Sequence, residues 1–328
     1  MTHRMALYIE AHNSARRNLE MAKYAEKKGF SEAWIASGFD CMVMMGAILN
    51  TTERLKVGSG ILPIWPYNPF VIAGAWKTMH NIAPHRSMLG LGAWFEPLAT
   101  RVGVKRVKPL KAMKEYVESL RLLFSGEEIS YDGEFVHLDH MRLVPPDFGK
   151  LDIPIYVGAT ASKMHELGGQ VGDGVVMNYF LTTDYIRRMT DHVRIGAESV
   201  GRKLDDIDRP QLLAVAVSND RAEAIEAARF VAVHYLGYEP HIQEHSGASQ
   251  ELLDEIHKIT TWPETPEKDR AAMGLIPEDL LRRICAVGTP DECRKKVREY
   301  MDAGCTCPIL TPLTKDIELL IDTFSKPL

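Results

Sequence analysis

Met5-Ala-Leu-Tyr-Ile-Glu-Ala-His-Asn-Ser14 begins the first structured unit of the chain, and its reading sets the fold. Met5 to Ile9 is an apolar run of strand length. Asn13-Ser14 supplies side chains that cap helices, and the amphipathic stretch that follows reaches Lys28 before Gly29 closes it. The unit then recurs. Glu32 to Ala36 leads to a helix ending near Asn50, and Leu55 to Gly58 leads, after a turn bearing Pro63, Pro66 and Pro69, to a helix over Phe70 to Ile82. Ser87 to Leu91 starts a fourth unit, ending in Gly90-Leu-Gly92. Strand and helix in alternation build a parallel sheet, because each helix carries the chain back over the sheet to start the next strand in the same direction.

Working outward, Pro109 to Phe124 is a helix with Leu110, Met113, Val117 and Leu120 on one face. Ile129 to Leu143, turning at Tyr131-Asp-Gly-Glu134, reads as a surface hairpin inside an insertion over 125–150. Ile153 to Val157, Asp173 to Met177, Gln211 to Val217 and Thr306 to Leu310 bring the strands to eight, and a helix over Lys315 to Phe324 ends the chain. Eight such units predict an α/β fold, a (β/α)8 TIM barrel formed as one domain over 1–328, in preference to an open doubly wound sheet. The polar, proline-bearing stretch 238–284 reads as a helical insertion on the C-terminal face, with a small second domain as the alternative.

The chain has 328 residues, 45% hydrophobic and 25% charged, with a formal net charge of -5. That balance argues against the basic field of a nucleic-acid binder and leaves a small molecule as the expected partner. No segment reaches the roughly 18 apolar residues of a membrane span, and the N-terminus lacks a secretory pattern. Five cysteines, an odd number in a chain too long to need disulfides, suggest a reducing compartment, so a cytoplasmic protein is expected.

In a barrel of this kind ligands bind on the loops that follow the strands. Glu10 ends the first strand, where a partly buried carboxylate can exchange protons near neutrality, and it is the candidate acid/base residue. An ordinary ion pair is the alternative. Gly58-Ser59-Gly60-Ile61 closes the third strand with two glycines that allow a cofactor close to the backbone. Neither this segment nor Gly90-Leu-Gly92 completes a dinucleotide fingerprint. Gly158-Ala159-Thr160-Ala-Ser162-Lys163 turns from strand into helix, where free N–H groups, a hydroxyl and a cation can meet a phosphate, unless Thr160 or Ser162 merely caps the helix. Ser37, Gly38, Gly92, Ala93 and Asn178 are the remaining strand-end candidates for cofactor contact. Trp65, Tyr67, Trp94, Tyr179, Phe180 and Trp262 are candidate pocket walls. No metal site is predicted, since Cys305-Thr-Cys307 lacks a second ligand pair and His241 with His245 lacks a carboxylate motif.

Several segments, in this order and spacing, resemble the bacterial luciferase-like oxidoreductases, in the branch typified by methylenetetrahydromethanopterin reductase. They are Ile9-Glu10, Gly29-Phe-Ser-Glu-Ala-Trp-Ile35, Arg54-Leu-Lys-Val-Gly-Ser-Gly60, Leu89-Gly-Leu-Gly-Ala93 and Lys108-Pro-Leu-Lys-Ala-Met-Lys-Glu115, then Ile153 to Ala159 with Lys163-Met164, Gly172-Asp-Gly174 and Val287-Gly-Thr-Pro-Asp-Glu-Cys293. The resemblance covers nearly the whole chain. It implies a homodimer or higher homo-oligomer that binds the deazaflavin coenzyme F420, or alternatively FMN, above the strands. It also implies a non-proline cis peptide at Gly60-Ile61, and a Glu10 that lies near hydride transfer and serves in proton exchange. Ser37-Gly38 departs from the acidic residue and His that the family usually shows there, and Trp94-Phe95 stands where an acidic residue usually follows the glycines. The leading expectation is hydride transfer between reduced F420 and a small organic substrate. One alternative is an FMN-dependent monooxygenase fed by a partner flavin reductase, with Tyr238 to Pro277 as its lid; another is a flavin-binding barrel without catalysis.

Overall fold

In chain order, β1 (Ala6–Ile9) leads into α1 (Ala15–Lys27), β2 (Glu32–Ala36) into α2 (Cys41–Thr51), and β3 (Lys56–Gly60) through the two-residue strand β4 (Leu62–Pro63) into α3 (Pro69–Ile82). Next come β5 (Ser87–Gly92), α4 (Leu98–Arg101), α5 (Pro109–Leu123) and a hairpin of β6 (Ile129–Asp132) and β7 (His137–Met141). β8 (Ile155–Ala159), α6 (Ser162–Val171), β9 (Gly174–Met177), α7 (Thr183–Glu198), β10 (Pro210–Val217) and α8 (Arg221–Tyr238) follow. Four short helices, α9 (Pro240–Gln243), α10 (Gln250–Ile259), α11 (Pro266–Ala272) and α12 (Glu278–Ile284), precede β11 (Ala286–Gly288), α13 (Pro290–Asp302), β12 (Cys307–Pro312) and α14 (Ile317–Phe324). The computed structural model describes residues 4–10, 14–36, 41–96, 98–143 and 149–328.

The cap expected at Asn13-Ser14 is formed by Ser14, and two further helices carry side-chain caps. Ser14 accepts the Arg17 N–H, Asn68 accepts the Phe70 N–H, and Thr289 with Glu292 closes a capping box at the start of α13. Parallel pairing runs β1-β2-β3-β5-β8-β9-β10-β12 and returns from β12 to β1 through Ala6↔Ile309, so eight strands close into a ring. This is the predicted (β/α)8 barrel. β11 was not anticipated: it pairs only with the far end of β10, at Val215 to Val217, and lies outside the ring. β3 also runs two residues beyond its expected end, because pairing with β2 continues to Ala36↔Gly60.

Side chains alternate between the two faces of each strand. Ala6, Tyr8, Trp34, Met88, Tyr156 and Ile309 fill the interior, while the intervening residues pack under the helices. At the N-terminal end, Arg4 donates Nε to Glu32 Oε1 (2.6 Å) and Nη1 and Nη2 to the two oxygens of Asp208 (2.7 and 2.6 Å). Trp34 Nε1 donates to Glu32, and Tyr156 and Thr306 hydroxyls donate to Asp208. These charged groups plug that end, which leaves the C-terminal mouth for a ligand.

The hairpin is fixed to α5 by one carboxylate. Glu115, nearly buried, accepts the N–H groups of Glu134, Phe135 and Val136 at 3.1, 2.7 and 3.2 Å, and Tyr131 donates to Glu118. Helices α9 to α12 lean on α8, where His234 Nδ1 lies 3.1 Å from Asp269. They also reach across to the β5–α5 connection, where the Arg101 guanidinium lies over the Trp262 ring.

Candidate active site

The floor of the mouth forms where β3 breaks its ladder. Gly58 pairs with Met88 of β5, and pairing resumes at Leu62 with Leu91, so the β3–β4 side carries one residue more than β5 over the same span. The extra residue makes a bulge containing the cis Gly60-Ile61 peptide. Ser59 supplies the missing rung, its Oγ accepting the Gly90 N–H (2.9 Å) and donating to the Gly90 carbonyl (2.8 Å). Its hydroxyl is therefore fully buried and turned to β5, so any contact of Ser59 with a cofactor would come from its backbone.

Ile61 is thrown over the barrel. A Cβ on Gly92 would stand 1.6 Å from Ile61 Cδ1, and one on Gly158 would stand 2.8 Å from the same atom. Two glycines on neighbouring strands thus make room for one aliphatic side chain, and Gly60, Ile61, Gly92 and Gly158 form a continuous floor. Tyr8 pins the bulge from below by donating to the Gly60 carbonyl (3.1 Å).

Glu10 follows Tyr8 at the inward-facing spacing of β1, and its carbonyl accepts from Asn18 Nδ2 (3.0 Å). Its charge reaches both Tyr179 and Tyr235, whose hydroxyls hydrogen-bond each other. Burial first, then these neighbours, push the Tyr179 phenol well above its ordinary value. Tyr179 follows β9, whereas Tyr235 comes from α8 and stacks on Phe180 at 4.9 Å. Trp94 and Phe180, each just beyond a strand end, hold left-handed backbone at φ 57° and 58°, a conformation that bulky residues keep only where their surroundings impose it. Trp65 Nε1 and Arg106 Nε both donate to the Ala93 carbonyl (2.7 and 2.8 Å), which fixes the start of that turn.

Asn178, one residue past β9 at its inward spacing, accepts the Tyr179 N–H on Oδ1 and turns Nδ2 to His241 Nε2 at 3.3 Å. Thr311, inward on β12 beside Tyr8, has a buried Oγ1 with no hydrogen-bond partner, as an acceptor or donor awaiting a ligand would. At α6 the N-cap is Ala161, which offers no side-chain bond, so neither Thr160 nor Ser162 caps the helix and its first amides remain available to an anion. Lys163 is exposed and paired with Glu166 at 2.8 Å, and Ala159 points outward against the Val175 and Val193 cluster, so neither side chain is turned to the mouth. Ser37 and Gly38 lie outside the described residues.

Sequence reasoning missed Tyr8, Arg106, Tyr235 and Glu239. Tyr8 shares the inward spacing of Ala6 and Glu10, a signal that was readable. Tyr235 and Glu239 are one helical turn apart at the end of α8, which marks a shared face but not the direction it looks.

A closed parallel barrel with a glycine-backed floor, an acidic strand end, aromatic walls and an uncapped helix start places a ligand site at the C-terminal ends of the strands. The chain belongs to the luciferase-like monooxygenase family, whose model matches residues 1–307. It is 28% identical over 307 residues to the 5,10-methylenetetrahydromethanopterin reductase of Archaeoglobus fulgidus, covering 91% of each chain. It is 27% identical over 328 residues to the F420-dependent glucose-6-phosphate dehydrogenase of Nocardia farcinica, covering 94% of this chain and 92% of that one. The solved structure of the coenzyme F420 dependent tetrahydromethanopterin reductase from Methanopyrus kandleri superimposes with a TM-score of 0.88 at 22% identity, over 99% of this chain and 97% of that one. Among the described residues no helix is long and apolar enough to cross a membrane.

Proposed function

We propose that this protein transfers a hydride between the reduced deazaflavin coenzyme F420 and a small organic substrate, as the methylenetetrahydromethanopterin reductases do. The observation that carries the reading is the mouth itself, with Ile61 laid over Gly92 and Gly158, Glu10 at the inward spacing of β1 and an unpartnered Thr311 hydroxyl. Relatives named as F420-dependent dehydrogenases align over 94% of the chain, which supports the same cofactor here. When bound, the deazaflavin supplies the carbon that gives up or takes the hydride.

The chain's own residues have separate tasks. Gly60, Ile61, Gly92 and Gly158 support one face of the ring. The first amides of α6, with Thr160 and Ser162, receive phosphate oxygens, and Thr311 meets a polar atom of the ring or its side chain. Glu10 holds and returns the proton that accompanies the hydride, and Trp94, Phe95 and the Tyr179–Tyr235 wall keep water from it. Titrating purified protein with F420 and following its fluorescence tests this directly. An absence of binding at micromolar concentrations would remove the reading.

The family model's name favours a second reading, an FMN monooxygenase fed by a flavin reductase. Retained FMN, with substrate oxidised only when reduced flavin and oxygen are both supplied, would select it. We further infer one domain throughout, a cytoplasmic location that suits five buried free cysteines, and a homodimer or higher homo-oligomer. Val43 and Val71, exposed on α2 and α3, are apolar surface that a second copy would cover, and sedimentation equilibrium reads the stoichiometry.

A further inference from the structure

The insertion brings one imidazole to the mouth, and its protonation state follows from the geometry. Asn178 Oδ1 is committed to the Tyr179 N–H at 2.9 Å, so the amide end turned to His241 is the NH2 group. An NH2 group only donates. His241 Nε2 therefore carries a lone pair and the ring proton sits on Nδ1, which faces Glu239 Oε2 at 3.4 Å. That oxygen is buried and lies within ion-pair reach of the ring but out of hydrogen-bonding alignment, with no other partner. A carboxylate behind one ring nitrogen and a lone pair on the other is how proteins orient an imidazole base.

Resting on the cofactor assignment above, we propose that His241, positioned by Glu239, is the acid/base residue for the substrate's own oxygen, and that this oxygen belongs to an alcohol or its carbonyl product. Nε2 and Asn178 Nδ2 are in contact at 3.3 Å, so a single substrate oxygen that takes the place of this contact can meet both, donating to Nε2 and accepting from Nδ2. In the oxidising direction the O–H bond breaks and its proton passes to Nε2. The bonding pair becomes the second C–O bond as hydride leaves the carbinol carbon for the oxidised deazaflavin. A substrate with no such oxygen would give the pair nothing to do.

The surroundings set the pH at which the pair works. Phe95 lies against the ring at 5.7 Å, Arg106 faces it from the β5–α5 connection and His245 from beyond α9. Burial, helped by His245 and Arg106, pushes the His241 imidazole down to about 4, so it is a free base at neutral pH. Burial, helped by Glu264 from the α10–α11 connection, pushes Glu239 up to about 8, and Tyr235 also lies within reach of its charge. Glu239 becomes an anion able to stabilise an imidazolium only above that pH. Alcohol oxidation therefore rises as pH passes through about 8.

The test compares wild type, His241→Gln and Glu239→Gln. F420 binding is read by fluorescence quenching, F420 reduction is measured with 2-propanol and cyclohexanol against pH, and the ring nitrogens of the cofactor-free wild type are read by 15N NMR. The expected result is an unprotonated Nε2 in the spectrum and F420 affinity kept within about twofold in both variants. With it go a kcat/KM loss of about 10²- to 10⁴-fold for His241→Gln and disappearance of the alkaline rise for Glu239→Gln. A protonated Nε2, no reduction of F420 by either alcohol, or an unchanged pH profile in the variants overturns the inference while the cofactor reading stands. Failure of wild-type protein to quench F420 overturns both.

Discussion

Replacing Arg4 with methionine removes the cation that holds two carboxylates at the plugged end of the barrel. Methionine keeps an apolar stem, so the loss is confined to the bond to Glu32 and the two bonds to Asp208. Withdrawing one member of a buried ion pair costs about 3–5 kcal/mol, because the charge left behind stays desolvated. The Arg4 side chain is 32% exposed while that of Glu32 is 3% exposed, which selects the lower figure, about 3 kcal/mol. Unfolding entropy over a chain of this length amounts to roughly 0.7 kcal/mol per kelvin, so the melting midpoint falls by ~4 °C. Burial alone would raise the Asp208 carboxyl, but the Arg4 bonds and charge, with Thr306 and Tyr156, outweigh it and hold the group below the usual aspartate value. A depressed carboxyl stabilises the fold above its unfolded pKa, and that contribution is lost as pH falls through the folded one. In Arg4→Met the same carboxyl titrates higher, so the gap between the two proteins is widest near neutrality and closes in acid. Scanning calorimetry at several pH values measures it. Midpoints within about 1 °C at neutral pH, or a gap that does not close on acidification, would refute the reasoning.

Gly92→Ala places a methyl where Ile61 Cδ1 now sits and drives that side chain into the mouth; F420 affinity should fall at least about tenfold, and Ile61→Ala in the same chain should restore it, as a double-mutant titration will show. Glu115→Gln removes the carboxylate that holds three amides of the hairpin turn, so hydrogen exchange at Glu134 to Val136 should quicken by the equivalent of about 1–3 kcal/mol while the barrel amides stay protected. Tyr235→Phe strands the buried Tyr179 hydroxyl and should cost about 1–3 kcal/mol in urea unfolding, whereas changing both tyrosines to phenylalanine should cost less than the single change.

How far the sequence reveals this molecule depends on which forces leave a local trace. Burial of one face per element imprints a period, so the eight ring strands were readable from runs such as Met5 to Ile9, and the Ser14 cap from the residue type before its helix. A three-residue strand like Ala286 to Gly288 is too short to show one. At the mouth, Glu10, Ile61 and Gly92 were legible as strand ends. Alternation between inward Gly58 and Gly60 turns the Ser59 hydroxyl to β5, a direction that the strand period carries in the sequence. Lys163 could likewise have been matched with Glu166 three residues on. No local pattern joins His241 to Asn178 across 63 residues, because that contact depends on the path of a whole insertion.

The charged plug around Arg4 stitches together residues beside β1, β2, β8, β10 and β12, so the staves of the cask are hooped at the end opposite the chemistry. Segments on the other rim can then be lengthened, traded or recut without loosening the vessel. On the role proposed for His241, a lineage can alter its substrate by rewriting 238–284, and an engineer grafting a foreign segment there inherits the same freedom.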